Sequence, residues 1–140
     1  MRPERNSVHP PEMTAESGLW SHGICVTVGA AKLVFISGQT ARHADGRPLP
    51  DDDFEAQFER VYESLELVLH EAGASFDDVV SMRTFVTRRT DIETYSRLRN
   101  AAHDILFPDQ NYPTNTLVVV EGLADRQMLL EVEAIAVVPA

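Results

Sequence analysis

Near its C-terminal end the sequence reads Met128-Leu-Leu-Glu-Val-Glu-Ala-Ile-Ala-Val-Val138, a run of aliphatic residues interrupted by two carboxylates. In an extended strand, successive side chains point to opposite faces of the sheet. One face of this strand is therefore predicted to be wholly apolar, with Leu130, Val132, Ala134 and Ala136. The other face mixes Leu129, Glu131, Glu133, Ile135 and Val137. The first of these faces suits packing against helices.

The mixed face needs a different neighbour. The chain carries two predicted helices, described below, and two helices can cover only one face of such a sheet. The face that carries Glu131 and Glu133 would then be partly exposed in a monomer. A subunit interface with a polar pocket at its edge would cover this face, so the strand pattern predicts self-association.

Four further β-branched segments supply partners for this strand. The predicted strands are, in order, His22–Gly29, Lys32–Gly38, Val79–Thr87, Thr114–Val120 and Met128–Val138. The first two are separated by Ala30 and Ala31 and predict a hairpin. Residues 40–52 contain Gly46 and prolines and predict a loop. The last two strands are joined by a predicted turn over Glu121–Arg126.

Two amphipathic helices lie between the strands. The first is preceded by the N-capping candidates Asp51–Asp53 and is predicted to stop at Gly73. Its apolar stripe consists of Phe54, Phe58, Val61, Tyr62, Leu65, Val68 and Leu69. The second helix spans about Asp91–Leu106 and ends before Pro108. Its predicted apolar face holds Tyr95, Leu98, Ala102, Ile105 and Leu106.

The predicted order of elements is ββαβαββ, a single-domain α+β fold with a mixed sheet and two helices on one face. A length of 140 residues is typical of one domain with one core. Residues 1–17 are rich in Pro, Glu and Ser and predict a flexible N-terminal arm, which leaves residues 18–140 as the folded domain.

The composition argues against several function classes. The net charge of −10 would repel a phosphate backbone, so we expect no nucleic-acid partner. No apolar stretch approaches the roughly 20 residues of a membrane span. The first residues are polar and unlike a signal peptide, which makes a cytoplasmic location the default expectation.

The sequence contains no motif typical of a cofactor site or a metal site. The five histidines have no metal-ligand spacing among themselves or with Cys25. Phosphate-binding and dinucleotide-binding loops are also missing. We therefore expect no cofactor and no metal, and we expect the lone Cys25 to be a buried, unreactive thiol.

Three blocks carry a resemblance to a known family. They are Phe35-Ile-Ser-Gly-Gln39, Glu71-Ala-Gly-Ala-Ser-Phe-Asp-Asp-Val-Val80 and Leu130-Glu-Val-Glu-Ala-Ile-Ala136. In this order and spacing the chain resembles a RidA (YjgF-type reactive intermediate deaminase) protein over about residues 18–138. The resemblance implies a chorismate-mutase-like homotrimer with small-molecule clefts between its subunits. It also implies hydrolysis of enamine or imine intermediates to a 2-oxo acid and ammonia.

The chain departs from this family at one position that matters for activity. In deaminase-active members, an arginine two residues after a proline pairs with the substrate carboxylate. The matching segment here is Tyr112-Pro113-Thr114-Asn115, so the arginine position holds Asn115. A neutral amide contributes about 1–2 kcal/mol less than a charged partner. The resemblance therefore implies a weakened 2-imino-acid reaction or an altered substrate.

Two more site positions follow from the resemblance. Gly38 matches the family's site glycine, whose bare backbone lets a substrate approach, although a tight bend after a strand would also require glycine. Glu131 matches the glutamate that positions or activates water, which fits the need of an imine hydrolase for a base. The alternatives for this face are that Glu131 is solvated or that Glu133 takes the role.

Trp20 and Arg99 complete the candidate substrate-binding residues. Trp20 stands where the family has an aromatic residue before the first strand, and it either walls the cleft or packs. Arg99 aligns, with a gap placed to within one residue, with a pocket asparagine of the family and would replace the missing cation, or it is a solvated helix residue. Arg83 is a possible cross-strand partner for Glu131 or Glu133.

Two functions remain open from the sequence. The first is an imine/enamine hydrolase with altered substrate choice, which the matches at Glu131 and Gly38 favour. The second is a non-catalytic trimeric module that binds a small metabolite or a protein, which Asn115 favours because the carboxylate clamp is lost.

Overall fold

A computed structural model describes residues 1–13, 19–49 and 53–140. Within these ranges the chain forms one six-stranded sheet and two α-helices. The strands are β1 Arg5–Val8, β2 Gly23–Val28, β3 Ala31–Gln39, β4 Val79–Val86, β5 Thr114–Val119 and β6 Leu130–Pro139. The helices are α1 Phe54–Glu71 and α2 Ile92–Leu106, and two short 3₁₀ turns precede β4 and α2.

The sheet is mixed, as the sequence predicts. Its strand order is β1-β2-β3-β6-β4-β5, and every neighbouring pair is antiparallel except β4 and β5, which are parallel. The predicted hairpin is confirmed as β2–β3, and Gly29 supplies the positive φ of its turn. The C-terminal strand β6 lies in the middle of the sheet, so its two faces decide what each side of the sheet contacts.

The two faces of β6 differ as predicted. Leu130, Val132 and Ala136 are fully buried, and α1 packs over β6 and β3 on this side. On the opposite side Phe35 and Val137 are 42% and 37% exposed. Both helices lie on the apolar face, because that is the face on which burial releases the most ordered water. The other face of the sheet, called the open face below, is not covered by a helix among the described residues of a single chain.

Local signals at the ends of α1 are confirmed. The side chain of Asp53 caps the helix by accepting a hydrogen bond of 3.0 Å from the Ala56 N–H. Gly73 follows the last turn with a positive φ, which ends the helix without steric strain. The other two capping candidates, residues 51 and 52, lie outside the described residues, as does Pro50 in the preceding loop.

The prediction of a flexible arm over residues 1–17 is wrong for Arg5–Val8. These residues form β1, which pairs with β2 from Arg5 opposite Val26 to Val8 opposite Gly23. The Val8 side chain is buried, so the strand both satisfies the backbone edge of β2 and adds to the core. Residues 14–17 of that predicted arm lie outside the described residues.

The predicted apolar face of α2 needs a correction at Ile105. Its side chain is 80% exposed, whereas His103 is buried with Tyr95 beneath the helix. The helix is rotated so that His103 enters an aromatic cluster with Tyr62 and Phe107, which leaves Ile105 outside the buried arc. Apolar periodicity alone misses this because it counts histidine as polar.

Candidate functional site

Gly38 lies in a β-bulge of the sheet. Strands β3 and β6 pair residue by residue as far as Ile36 opposite Ala134, and pairing resumes at Gln39 opposite Val132. Between these two pairs, two residues of β3 face a single residue of β6. A bulge of this kind bends the strand and redirects its side chains, and bulges are frequent beside functional sites.

The bulge brings Gly38 against the side chain of Glu131. A Cβ atom placed on Gly38 would lie 2.5 Å from Oε1 of Glu131 and 2.8 Å from its Cδ. Only glycine leaves room for the carboxylate to lie on the β3 backbone. The two residues that the sequence assigned separately to a site therefore form one local unit.

The surroundings of Glu131 shift its pKa. Its side chain is half-buried, and burial is the main cause that raises its pKa above the ordinary value. The charge of Glu133 raises the pKa further, whereas Arg42 acts in the opposite direction. A carboxyl group of this kind exchanges protons nearer to neutral pH, which is the property that a general acid–base group needs.

Arg83 pairs with Glu133 on the open face. The two residues are directly opposite in the register of β4 and β6, and Nη1 of Arg83 lies 3.2 Å from Oε1 of Glu133. Of the two partners that the sequence allowed for Arg83, the structure selects Glu133. Both residues also line a shallow cavity of about 310 Å³ with Ser37, Phe35 and Ile135.

Asn115 forms a closed ring of hydrogen bonds on the helix-covered side of the sheet. Its Oδ1 accepts from the Thr84 hydroxyl at 2.9 Å, and its Nδ2 donates to the Tyr95 hydroxyl at 2.8 Å. The ring closes between the hydroxyl groups of Thr84 and Tyr95 at 3.1 Å. Because the Thr84 hydroxyl donates to Asn115, it accepts a hydrogen bond from the Tyr95 hydroxyl. One N–H of Asn115 is left to donate outside the ring.

Asn115 and Arg99 line one cleft between α2 and the start of β5. This cleft has a volume of about 470 Å³, and its walls are Arg99, Asn100, His103, Asp104, Tyr112, Pro113 and Asn115. The Arg99 guanidinium lies 5.5 Å from the centre of the Tyr95 ring, within the range of a cation–π contact. Arg99 therefore supplies a cation beside the position where Asn115 stands.

His103 is a member of this cleft that the sequence analysis missed. Its Nε2 lies 2.9 Å from the hydroxyl of Tyr62. Burial, followed by the charge of Arg99, lowers the pKa of His103 to about 4, although Asp104 acts in the opposite direction. The position, eight residues after Tyr95 on the same helix face, was the available signal.

The candidate residues fall into two groups within one chain. Val132, opposite Thr84, faces the helices, so the neighbouring pair of Glu131 and Phe85 projects to the open face. Asn115 shares the helix-covered side with Thr84. The Glu131–Gly38 unit and the cleft of Arg99 and Asn115 are therefore on opposite sides of the sheet.

Trp20 belongs to neither of these two groups and lines neither of the two cavities described above. It precedes β2, is 50% exposed, and packs edge-on against the His22 ring with 5.5 Å between ring centres. The exposure leaves a face of the only tryptophan open for a contact outside the chain.

The remaining sequence expectations concern metals, membranes and Cys25. Among the described residues, no group of His, Cys, Asp and Glu side chains is arranged to hold a metal ion. Nor does that part of the chain contain a helix long and apolar enough to cross a membrane. Cys25 is buried on β2, as predicted.

Together these features define an α+β protein with one mixed sheet, a glutamate set into a glycine bulge, and a separate cleft lined by Arg99 and Asn115. The family model described as Endoribonuclease L-PSP matches residues 12–138. The chain belongs to this family, which is the RidA/YjgF family.

Individual relatives agree with this assignment. The chain is 30% identical over 137 residues to the RutC family protein YjgH of Escherichia coli, with 97% of each chain covered. The crystal structure of YyfA from Yersinia pestis, a protein of the conserved Rid family, superposes with a TM-score of 0.80 at 26% identity, covering 96% of this chain and 100% of that one. E. coli TdcF with bound serine superposes with a TM-score of 0.79 at 27% identity, covering 94% and 98%.

Proposed function

We propose that this protein is an imine/enamine hydrolase, that is, a deaminase, for a small reactive metabolite. The observation that carries the proposal is the Glu131 carboxyl group set against Gly38, with its pKa raised by burial. Such a group can accept a proton from water and return it to a leaving nitrogen, and imine hydrolysis requires both transfers.

The proposed reaction uses Glu131 twice. As a carboxylate it removes a proton from water while the oxygen adds to the carbon of the C=N bond, and it passes this proton to the nitrogen to give a neutral carbinolamine. In the second step the carboxylate removes the hydroxyl proton of the carbinolamine while the C–N bond breaks, and it delivers that proton to the nitrogen, which leaves as ammonia. The sum is one imine and one water converted to one carbonyl compound and one ammonia.

Arg99 and Asn115 are proposed to hold the substrate. The guanidinium of Arg99 supplies a positive charge for an acidic group, and Asn115 supplies one neutral N–H donor beside it. This differs from one bidentate arginine at position 115, so substrate choice is altered. The serine bound by TdcF supports a ligand of amino-acid size.

A homotrimer with ligand clefts between subunits is part of the proposal. Glu131 and the Arg99 cleft lie on opposite sides of one chain's sheet. One chain therefore cannot bring both groups to one reacting carbon, whereas two neighbouring subunits can. Exposed Phe35, Val137 and Trp20 supply apolar surface for such an interface.

The first test is ammonia release from 2-iminopropanoate generated in situ. Wild type should accelerate release, and Glu131→Ala should reduce the rate by about 100-fold, the typical contribution of an acid–base group. Arg99→Ala should reduce it by about 10- to 100-fold, the contribution of a charged hydrogen bond to the substrate. Glu66→Ala, which removes a half-exposed carboxylate on α1, is the matched control and should keep the wild-type rate. A wild-type rate equal to the uncatalysed one would reject the enzyme proposal for this substrate.

Mixing the two inactive variants tests the shared site. If one subunit supplies Glu131 and its neighbour supplies Arg99, trimers that combine Glu131→Ala and Arg99→Ala chains regain some intact sites and some activity. Sites built within one chain would stay inactive in every mixture. The molar mass in sedimentation equilibrium should be three times that of the chain.

The alternative is a non-catalytic trimeric module that binds a small metabolite or a protein. Asn115 favours it, because the ring with Thr84 and Tyr95 already engages its carbonyl oxygen and one of its two N–H groups. A substrate panel that gives thermal shifts with no ammonia release would select this alternative. The family description names a ribonuclease, and the net charge of −10 argues against RNA as the substrate here.

A further inference from the structure

The aromatic cluster beneath the cleft contains one titratable group that the proposed reaction does not use. His103 is 7% exposed, yet it forms part of the cleft wall beside Arg99 and Asn115. Its ring packs against Phe107 and Tyr112, with centre-to-centre distances of 4.9 and 6.3 Å, and against Tyr62 at 6.0 Å. These ring contacts and the hydrogen bond to Tyr62 fix the direction in which its two nitrogens point.

The two nitrogens of His103 have different surroundings. Nε2 faces the core and lies 2.9 Å from the hydroxyl of Tyr62, which is itself buried. Among the described residues, Nδ1 has no hydrogen-bond partner, and it is not one of the buried unpaired atoms. Nδ1 therefore has some exposed surface, and the cleft is the surface that His103 lines.

The hydrogen bond between Tyr62 and His103 then selects one tautomer of the His103 ring. Burial raises the pKa of Tyr62, so its hydroxyl keeps its proton and must donate it. The acceptor within reach is Nε2 of His103, which places the ring proton on Nδ1. Arg99 and Asp104 are the charged groups beside the ring, and Tyr62 and Tyr112 are the titratable groups packed against it.

We infer that His103 is a third ligand-binding residue of the Arg99 cleft, donating a hydrogen bond from Nδ1–H to an acceptor on the bound molecule. The ligand class is then a small organic acid with a second acceptor, a carbonyl or imine group, next to its carboxylate. Arg99 takes the charge, while His103 and Asn115 take the neutral acceptors. This inference rests on the proposed function, because it assigns the ligand of the same cleft.

The tautomer can be tested without any ligand. In nitrogen-15 NMR spectra of the wild-type protein near neutral pH, His103 should be neutral with its proton on Nδ1. A proton on Nε2, or a charged ring, would overturn the inference. Tyr62→Phe removes the hydroxyl that selects the tautomer and should shift the ring toward a mixture of both forms.

Pyruvate is the probe for binding, since it is the carbonyl product expected from 2-iminopropanoate. Titration should move the Nδ1 signal of His103 together with the Arg99 side-chain signals. If the Arg99 signals move and the His103 signal does not, the cleft binds the acid. The inference about His103 then fails, while the proposed substrate class stands. If no signal moves, the proposed substrate class and this inference both fail.

A matched pair of variants separates contact from packing. The amide nitrogen of His103→Asn lies near the former Nδ1, whereas that of His103→Gln lies near the former Nε2. Both lose the ring, so both lose stability, but pyruvate affinity should be about tenfold lower in His103→Gln than in His103→Asn, the contribution of one hydrogen bond. His70→Gln, an exposed histidine on α1, is the control and should bind like wild type. Equal affinities for the pair would overturn the inference.

Discussion

Glu131 rests against the backbone of Gly38 so closely that the smallest added side chain would overlap its carboxylate, at 2.5 Å from Oε1. The contact joins the bulge of β3 to the central strand β6. A Cβ atom at position 38 would meet the end of a flexible side chain. The close contact therefore restricts the position of the Glu131 carboxyl group more than it restricts the backbone. A change at Gly38 should therefore act through the position of the carboxyl group.

Gly38→Ala should remove most of the proposed deaminase activity but lower the free energy of unfolding by less than about 1 kcal/mol, below the usual range for overpacking, because the flexible Glu131 side chain can move aside. Ammonia release and urea unfolding measure the two effects. The control is the same substitution in a Glu131→Ala background, where the overlap is gone and the loss of stability should be smaller. Equal stability losses in both backgrounds would show that the backbone, and not Glu131, requires glycine.

Glu131→Gln should stabilise the protein at neutral pH. The folded state raises the pKa of Glu131, so folding favours the protonated form and works against the ionised one. The wild type therefore loses stability as the pH rises from the unfolded pKa through the folded pKa, and the variant does not. The stability difference should shrink at acid pH, which urea unfolding across a pH series measures. A constant difference at every pH would contradict the raised pKa.

His103 should make the protein sensitive to acid. Its folded pKa of about 4 lies below the ordinary value of 6.5. The neutral form is favoured by folding, so its contribution is complete above pH 6.5 and is lost as the pH falls to about 4. The loss amounts to at most about 3 kcal/mol, since one pKa unit corresponds to about 1.4 kcal/mol. The free energies of unfolding of the wild type and of His103→Gln should therefore approach each other as the pH falls over this range, and parallel curves would refute the assignment.

The ring of Asn115, Thr84 and Tyr95 should behave as one unit. Tyr95→Phe removes one hydrogen bond from Thr84 and one from Asn115, which stay bonded to each other, and should cost about 1–3 kcal/mol in unfolding free energy. Thr84→Val, nearly equal in volume, should cost a similar amount. The double variant should cost clearly less than the sum, because each change alone already opens the ring. Additive losses would mean that the three hydrogen bonds are independent.

Several features of the fold were readable from local sequence. The alternation along β6 predicted which face meets the helices, because side-chain direction in a strand follows from backbone geometry alone. The hairpin β2–β3 and the end of α1 at Gly73 were predicted for the same kind of reason, since turn and cap chemistry acts over a few residues. The match to the RidA family rested on short blocks of this local type.

Other features depended on which distant segments meet. The strand β1 was missed because its polar sequence pairs only when the edge of β2 is present. The face of α2 was misread at Ile105 because His103 finds Tyr62, 41 residues away, as a partner. Only the tertiary structure brings the Tyr62 hydroxyl to His103. Without this partner, a buried histidine would be less stable than one exposed to water.

The candidate site, too, depends partly on local sequence and partly on tertiary structure. The sequence by itself determined the residue types: a glutamate and a glycine at matching family positions, and a neutral Asn115 where a cation was expected. Tertiary structure alone decided that Glu131 lies against Gly38, that Thr84 and Tyr95 engage Asn115, and that Arg99 shares its cleft. The physical reason is that a side chain's protonation and free hydrogen bonds depend on its neighbours in space, and here those neighbours come from separate strands and helices.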